Sequence, residues 1–378
     1  MDQLKLGIVG RSRKENELRL PVHPLHLSRI DPRLLSGIWL ERGYGERFGV
    51  PDAQLEPLVG GLLSRRELVE SSDVIVLPKP HADDLEEMRD GQTLWGWPHC
   101  VQDELLTQVA IDRRLTLIAW EAMNRWNPDG SFSHVFVKNN EIAGYASVLH
   151  AMALMGSTSQ YGRPLRAAVI SLGATGRGAV AALEALGVRD ITVLTHRDVR
   201  EVPSPTPSVR LVHYERADDE PSRPVAIMDG RSAPVAEVLA GHDVTVNCVL
   251  QDTDAPLMFV ADDELKLFPS GALLIDVSCD EGMGFSWARP TSFEEPMFAV
   301  GDVNYYAVDH SPSYLWNSAT WEISDALTPY LPVVMAGPDA WDEDETIRRA
   351  IEIRDGVIQN PKILSFQGRT AEYPHRKS

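Results

Sequence analysis

The chain has 378 residues, 43% hydrophobic and 24% charged, a globular composition in a chain too long for one core, so two domains are expected. A formal net charge of −19, with no basic stripe to offset it, argues against nucleic acid and anionic membranes as partners. No apolar run has the length of a bilayer span, and Met1-Asp2-Gln3-Leu4-Lys5 lacks the basic and apolar regions of a secretion signal. Cys100, Cys248 and Cys279 form no CxxC pair, so no disulfide framework and no metal site are expected, and a cytoplasmic setting is.

In chain order, residues 4–9 read as a buried strand and 24–30 open a helix, followed by strands at 37–40, 74–77 and 115–120. Residues 139–155 have few breakers and closely spaced small residues, which predicts a long helix leading into the second domain. Strands follow at 167–172, 191–194, 243–249 and 272–277. Residues 201–224 are rich in Pro, Ser and charge and read as a loop or a degraded crossover, and 319–331 as a helix returning to the first domain. The expected fold class is α/β, with two Rossmann-like domains whose parallel sheets are flanked by helices. Residues 1–138 plus 320–378 would form a discontinuous substrate domain and 139–319 the dinucleotide-binding domain. The cleft between two such domains is where an active site is expected.

The most specific segment is Arg166-Ala-Ala-Val-Ile-Ser-Leu-Gly-Ala-Thr-Gly-Arg-Gly-Ala, a buried strand, a glycine-rich turn and a helix, with a second apolar run at 191–194. That order begins a dinucleotide-binding βαβ unit. Gly173, Gly176 and Gly178, with Ala174, Thr175 and Arg177 among them, would let the backbone approach a pyrophosphate at the N-terminus of the helix. Against Gly-x-Gly-x-x-Gly the match is imperfect: Thr175 stands at the middle position and Gly176 falls one place late. The second strand of such a unit ends, in NAD enzymes, on an acid that binds the ribose hydroxyls. Here it ends on Thr195, with His196 and Arg197 next, so NADP(H) is favoured over NAD(H). Asp198, in a slightly different register, is the contrary signal.

Five further segments, collinear over residues 4–331, resemble a family that contains alanine dehydrogenase, the lysine-forming saccharopine dehydrogenase and N5-(carboxyethyl)ornithine synthase. They are Lys14-Glu-Asn-Glu-Leu-Arg-Leu-Pro-Val-His-Pro24, Val76-Leu-Pro-Lys-Pro80 with Gly91–His99, Ala143-Gly-Tyr-Ala146, Leu274-Ile-Asp-Val-Ser-Cys-Asp280 and Val308-Asp-His-Ser-Pro-Ser-Tyr-Leu315. Gly-Trp-Pro-His and Ala-Gly-Tyr-Ala-Ser look most like the carboxyethylornithine synthase. Gly-Ala-Thr-Gly-Arg-Gly-Ala and Asp-His-Ser-Pro-Ser look more like the saccharopine dehydrogenase, with alanine dehydrogenase further away. The resemblance implies an NAD(P)H-dependent oxidoreductase acting on a CH–NH bond. It would condense a 2-oxo acid with the amine of an amino acid, or run the reverse reaction. Its small-molecule partners would be that oxo acid and that amino acid, and a homo-oligomer is compatible with the resemblance. An ammonia-using amino-acid dehydrogenase is the alternative within the family. A non-catalytic nucleotide-binding module, like a soluble part of transhydrogenase, is the alternative outside enzymes.

Such a reaction needs proton transfers, a cation for a carboxylate and a hydride aimed at an imine carbon. Lys79 lies just past the strand 74–77, at the strand end where α/β crevices open, and His99 follows an aromatic run able to exclude water. The resemblance implies that these two are the acid–base pair, with their individual roles open. It also implies that Arg19 grips a substrate carboxylate, a task its planar fork suits. Arg11, Arg13 and Lys14 are available for a second carboxylate. Asp276 and Asp280 follow a strand; the resemblance implies that Asp280 lies near nicotinamide and substrate, and leaves Asp276 undecided. His310 either reaches substrate or bonds a turn.

Overall fold

Runs of Val, Ile and Leu four or five residues long, bounded by Gly, Pro and Ser, fold here into two separate parallel sheets. The computed structural model describes residues 3–200, 206–228 and 230–377, which divide into unit 1, Met1–Val137 with Trp316–Ser378, and unit 2, Lys138–Leu315.

In unit 1, β1 (Leu6–Ile8), β2 (Ile38–Glu41), β3 (Gly61–Leu63), β4 (Val74–Leu77), β5 (Thr93–Gly96) and β6 (Thr116–Ala119) run parallel in the order β3-β2-β1-β4-β5-β6. The returning strands Ile351–Arg354 and Val357–Ile358 continue the sheet antiparallel beyond β6. Side chains alternate between two cores: Val74 and Val76 face one, Ile75 and Leu77 the other. The returning helix Trp316–Leu327 is tied to this unit where Leu20 N donates to Thr320 Oγ1 at 2.9 Å. Strand order reverses between β1 and β4, so a crevice forms at their carboxyl ends, where residues 9–19 and 78–81 emerge.

Unit 2 opens with the helix Val137–Leu154. Its strands are β7 (Arg166–Ile170), β8 (Asp190–Thr195), β9 (Val209–Arg216), β10 (Pro224–Met228), β11 (Arg231–Pro234), β12 (Val244–Asn247), β13 (Leu273–Asp276), β14 (Met297–Val300) and β15 (Val303–Tyr306). The parallel run is β9-β8-β7-β12-β13-β15, extended by the antiparallel pair β10 and β11 at one edge and β14 at the other. Its order reverses between β7 and β12, directly at the glycine-rich turn.

One expectation is corrected. The segment read as a loop at 201–224 contains β9, parallel to β8, while 201–205 lie outside the described residues. Val209, Val212 and Tyr214 are buried there, but the charged residues Arg210, Glu215 and Arg216 between and after them hide the strand from a reading by composition. The helix expected to open at 24–30 is a 3-10 helix, Pro24–Arg29, with His23 capping the Leu25 N–H.

Candidate active site

β7 ends as Ser171 takes a φ of +80°, and Ser171 N donates to Leu194 O of β8 at 2.7 Å. Gly173, in extended backbone, caps the twelve-residue helix Ala174–Ala185 without a side-chain bond to its N-terminal N–H groups. The three glycines do different work. A Cβ on Gly173 would meet only Ser171 Oγ, at 3.9 Å, so its surface is open. A Cβ on Gly176 would run into the Ser171 carbonyl, and one on Gly178 into the Glu141 carbonyl of the Val137–Leu154 helix. Gly144, on that helix, meets the Thr175 carbonyl in the same way, so the two helices touch backbone to backbone. Ala174 and Thr175 are half-buried in the first turn, and Arg177 is exposed.

At the end of β8, Thr195 is buried and its Oγ1 accepts from Arg197 N at 3.2 Å, closing its own turn. Arg197 reaches back to the glycine turn, donating from Nη2 to Leu172 O at 3.4 Å. His196 is exposed, its ring edge-on to Tyr214. The Asp198 carboxylate accepts from Arg200 N at 2.9 Å and so caps a turn.

β13 ends in Asp276, fully buried, which accepts from Tyr305 OH at 2.7 Å, Asn247 Nδ2 at 2.9 Å and Cys279 N at 3.1 Å. These bonds fix the loop that carries Asp280, which is half-buried and whose carbonyl accepts from Met283 N at 3.1 Å. His310 is buried, 2.6 Å from Asp309 Oδ1 through Nδ1 and edge-on to Phe293, while its carbonyl accepts from Ser313 N at 2.9 Å.

Burial pushes Asp276 up to about 6 from the ordinary 3.8, against the pull of Tyr305, Asn247 and the Cys279 and Ser278 N–H groups. A carboxyl with a raised folded pKa contributes stability that is fully present below the unfolded value and is lost as pH rises through about 6. The full difference is roughly 3 kcal/mol, of which about 1 kcal/mol is gained between pH 7 and pH 5. Urea unfolding of the native protein and of Asp276→Asn at both pH values should show the native chain gaining that amount relative to the variant on acidification. An unchanged gap would contradict the buried, titrating carboxyl.

In unit 1, Lys79 follows β4 at the strand-order reversal, its carbonyl accepting from Ser12 Oγ in the loop after β1. Trp97 N donates to Pro78 O at 2.8 Å, and Gly96 has no room for a Cβ against the Leu77 carbonyl, so the ends of β4 and β5 are drawn together. His99 takes a φ of +48°, and its carbonyl accepts from Gln102 N and Asp103 N at 3.1 and 3.0 Å. The Trp97 ring packs against Trp120 and Phe136, with centroids 4.7 and 5.0 Å away. The Arg19 guanidinium lies 4.9 Å over the Trp97 ring, buried, and grips Glu17 with Nε donating to Oε1 at 2.8 Å. Arg19, Lys79 and His99 therefore share one end of the unit 1 sheet. Arg13, half-exposed, pairs with Glu87 and lies 3.9 Å from Asp84.

A fourth residue, Glu121, was not singled out from sequence. It follows β6, and its Oε1 accepts from His99 N at 2.6 Å and stands 4.0 Å from His99 Nδ1. Burial, and then the neighbouring Glu352, push its carboxyl up to about 8, while the His99 N–H and the Lys79 charge oppose them. An acid just past a buried strand was available as a signal, the same one that drew attention to Asp276. Among the described residues, no group of His, Cys, Asp and Glu is placed to hold a metal ion.

Residues 8–143 match the alanine dehydrogenase/PNT N-terminal domain and residues 146–361 the alanine dehydrogenase/PNT C-terminal domain. An alanine dehydrogenase of Mycobacterium tuberculosis (strain CDC 1551 / Oshkosh) is 23% identical over 97% of both chains. An N(5)-(carboxyethyl)ornithine synthase of Clostridium botulinum is 22% identical over 87% of this chain and 94% of its own. These near-equal identities do not set alanine dehydrogenase apart as the more distant relative. An L-alanine dehydrogenase structure shares the fold, with a TM-score of 0.74 and 18% identity over 96% of this chain and 98% of its own. A transhydrogenase of Sinorhizobium meliloti does so with a TM-score of 0.70 and 20% identity over 93% and 99%. Among the described residues, no helix is long and apolar enough to cross a membrane. With both domain types present in order along residues 8–361, the chain belongs to the alanine dehydrogenase/PNT family of oxidoreductases.

Proposed function

We propose that this protein is an NAD(P)H-dependent oxidoreductase that condenses a 2-oxo acid with the amino group of an amino acid, or oxidises the resulting secondary amine. The observation that supports the reading is that Arg19, Lys79 and His99 follow β1, β4 and β5 at the carboxyl end of the unit 1 sheet, in a chain whose unit 2 bears a dinucleotide fold. The open face of Gly173 and the uncapped helix behind it fit a pyrophosphate.

When bound, the nicotinamide supplies or accepts the hydride. The remaining work falls to side chains of this protein. Arg19 orients the oxo-acid carboxylate, which shares the guanidinium with Glu17 or replaces it. The Trp97, Trp120 and Phe136 wall keeps water from the reacting carbon. One member of the Lys79–His99 pair takes a proton from the attacking amine, and the other gives one to the carbinolamine oxygen as water leaves. Asp280, on the loop held by Asp276, and His310 are proposed as the unit 2 residues that take part in the reaction.

NADP(H) is the proposed nucleotide, since Thr195 offers no carboxylate to repel a 2′-phosphate and Arg197 stands beside the glycine turn. NADPH is therefore expected to exceed NADH in kcat/KM, and Arg197→Leu to erase about tenfold or more of that preference. An NADH preference in the native protein would contradict it.

A second reading, an amino-acid dehydrogenase using ammonia, is supported by the alanine dehydrogenase that matches 97% of the chain. A matrix of 2-oxo acids against amino acids and ammonia separates the two, with NADPH consumption followed and products weighed by mass spectrometry. An N-linked adduct supports the first reading; a free amino acid formed only with ammonia replaces it with the second.

A further inference from the structure

Behind His99 lie two carboxyl groups that this chemistry leaves unused, on segments more than two hundred residues apart. Glu121 stands on the turn Trp120–Ala122 after β6. Glu352 stands on the returning strand Ile351–Arg354, where its ladder with β6 slips register between Ile351 and Ile353. One oxygen of each is satisfied: Glu121 Oε1 by His99 N at 2.6 Å, Glu352 Oε1 by Asn360 Nδ2 at 3.0 Å. The other oxygen of each, Oε2, is buried with no N–H or O–H donor among the described residues, and the Cys100 thiol gives Glu352 only a weak, neutral bond. Around the pair stand Lys79 after β4, and His99 and the buried Cys100 after β5, with Asp103 beyond Cys100. Lys79 is the cation that opposes the rise at Glu121, and Asn360 and the Cys100 thiol are neutral partners for Glu352.

A buried carboxylate oxygen without a donor is costly, and two ionised carboxylates in one dry neighbourhood cost more. A single proton held by the pair relieves both problems, because it removes one charge and lets one acid face the other carboxylate. We propose that Glu121 and Glu352 form a carboxyl pair that keeps one proton at neutral pH and, through Glu121, sets the charge facing His99 and Lys79. Glu121 and Glu352 are then positioning residues, since neither is required to touch substrate. Burial pushes both carboxyls up; the Glu352 charge pushes Glu121 further, while Asn360 and the Cys100 thiol pull Glu352 back.

The proposal links to catalysis only through the acid–base reading of Lys79 and His99, on which that part rests. Joining an ammonium and an oxo acid by hydride addition, with release of water, leaves a secondary ammonium and consumes one proton per turnover. A retained proton on the pair limits the negative charge that Glu121 presents to Lys79 and His99. That lets one of them act as base while the other acts as acid.

The test is infrared spectroscopy of the full chain in deuterated buffer at pH 7, beside Glu352→Gln and Glu121→Gln, with Asp276→Asn as background. The native protein should show a protonated-carboxyl band that is lost in both Gln variants, because removing either acid lets the other ionise or removes it. Glu352→Gln keeps an acceptor for Asn360, and a thermal melt confirms that it folds. A band that survives in Glu352→Gln, or no such band in the native protein, overturns the pair. With substrates, the pH profile of kcat/KM in Glu352→Gln should move up by roughly one unit, since an ionised Glu121 favours the protonated forms of its neighbours. An unmoved profile overturns the link to catalysis. The infrared result is read without substrate, so absence of turnover in the native protein would count against the proposed reaction and leave the pair standing on its own evidence.

Discussion

Replacing Lys79 by Met, or His99 by Asn, is expected to lower kcat by about a hundredfold or more while nucleotide binding changes by less than about twofold. The two side chains sit at the carboxyl ends of β4 and β5 in unit 1, whereas the glycine turn belongs to unit 2 with its own cores. Proton transfer can therefore be removed without touching the phosphate cradle. The choice of variant at position 99 follows from the backbone: at φ +48° a Gln adds left-handed strain of about 1 kcal/mol, which Asn largely avoids. The His99 N–H that serves Glu121 survives either change. Titration with NADPH by fluorescence, beside steady-state rates, reads both quantities. Full activity in both variants would remove these residues from the reaction, and loss of nucleotide binding would show that they act through the fold.

Gly178→Ala is expected to cost unit 2 more than Gly173→Ala by about 2 kcal/mol, although both alter the same signature. At 178 the new methyl meets the Glu141 carbonyl of the neighbouring helix, and backbone has to move. At 173 it meets open space at a φ of −74°, which any residue adopts, so the fold is indifferent. The expected effect of Gly173→Ala lies instead in nucleotide affinity, as a methyl fills the surface proposed to receive a phosphate. Urea midpoints and NADPH titration of the two variants give the comparison. Equal stability losses would contradict the division of labour among the glycines.

Much of this architecture was legible. The buried runs at 74–77 and 167–172 are covered on both faces, and the Gly-rich turn falls at the strand-order reversal, where a Rossmann sheet requires it. β9 escaped because Arg and Glu interrupt its apolar positions, and β5 because Trp and Gly dominate a strand only four residues long. The resemblance drew attention to Lys79 and His99, but not to their setting. Glu17, two residues before Arg19, occupies the guanidinium expected to wait for substrate. Glu121 and Glu352 meet only because a strand from the far end of the chain lies against β6, a long-range pairing with no local pattern. At Thr195 the residue type showed a strand end without a carboxylate, but not that its hydroxyl closes its own turn or that Arg197 reaches back to Leu172 O before the glycine-rich turn.

The most direct test of the central claim uses NADPH carrying deuterium at the transferable position of the nicotinamide, with the native protein and the oxo-acid–amino-acid pair that consumes it. The account predicts a secondary amine with deuterium on the former carbonyl carbon, and no labelled adduct from Lys79→Met. An unlabelled adduct, or labelled product formed equally well by the variant, would contradict it.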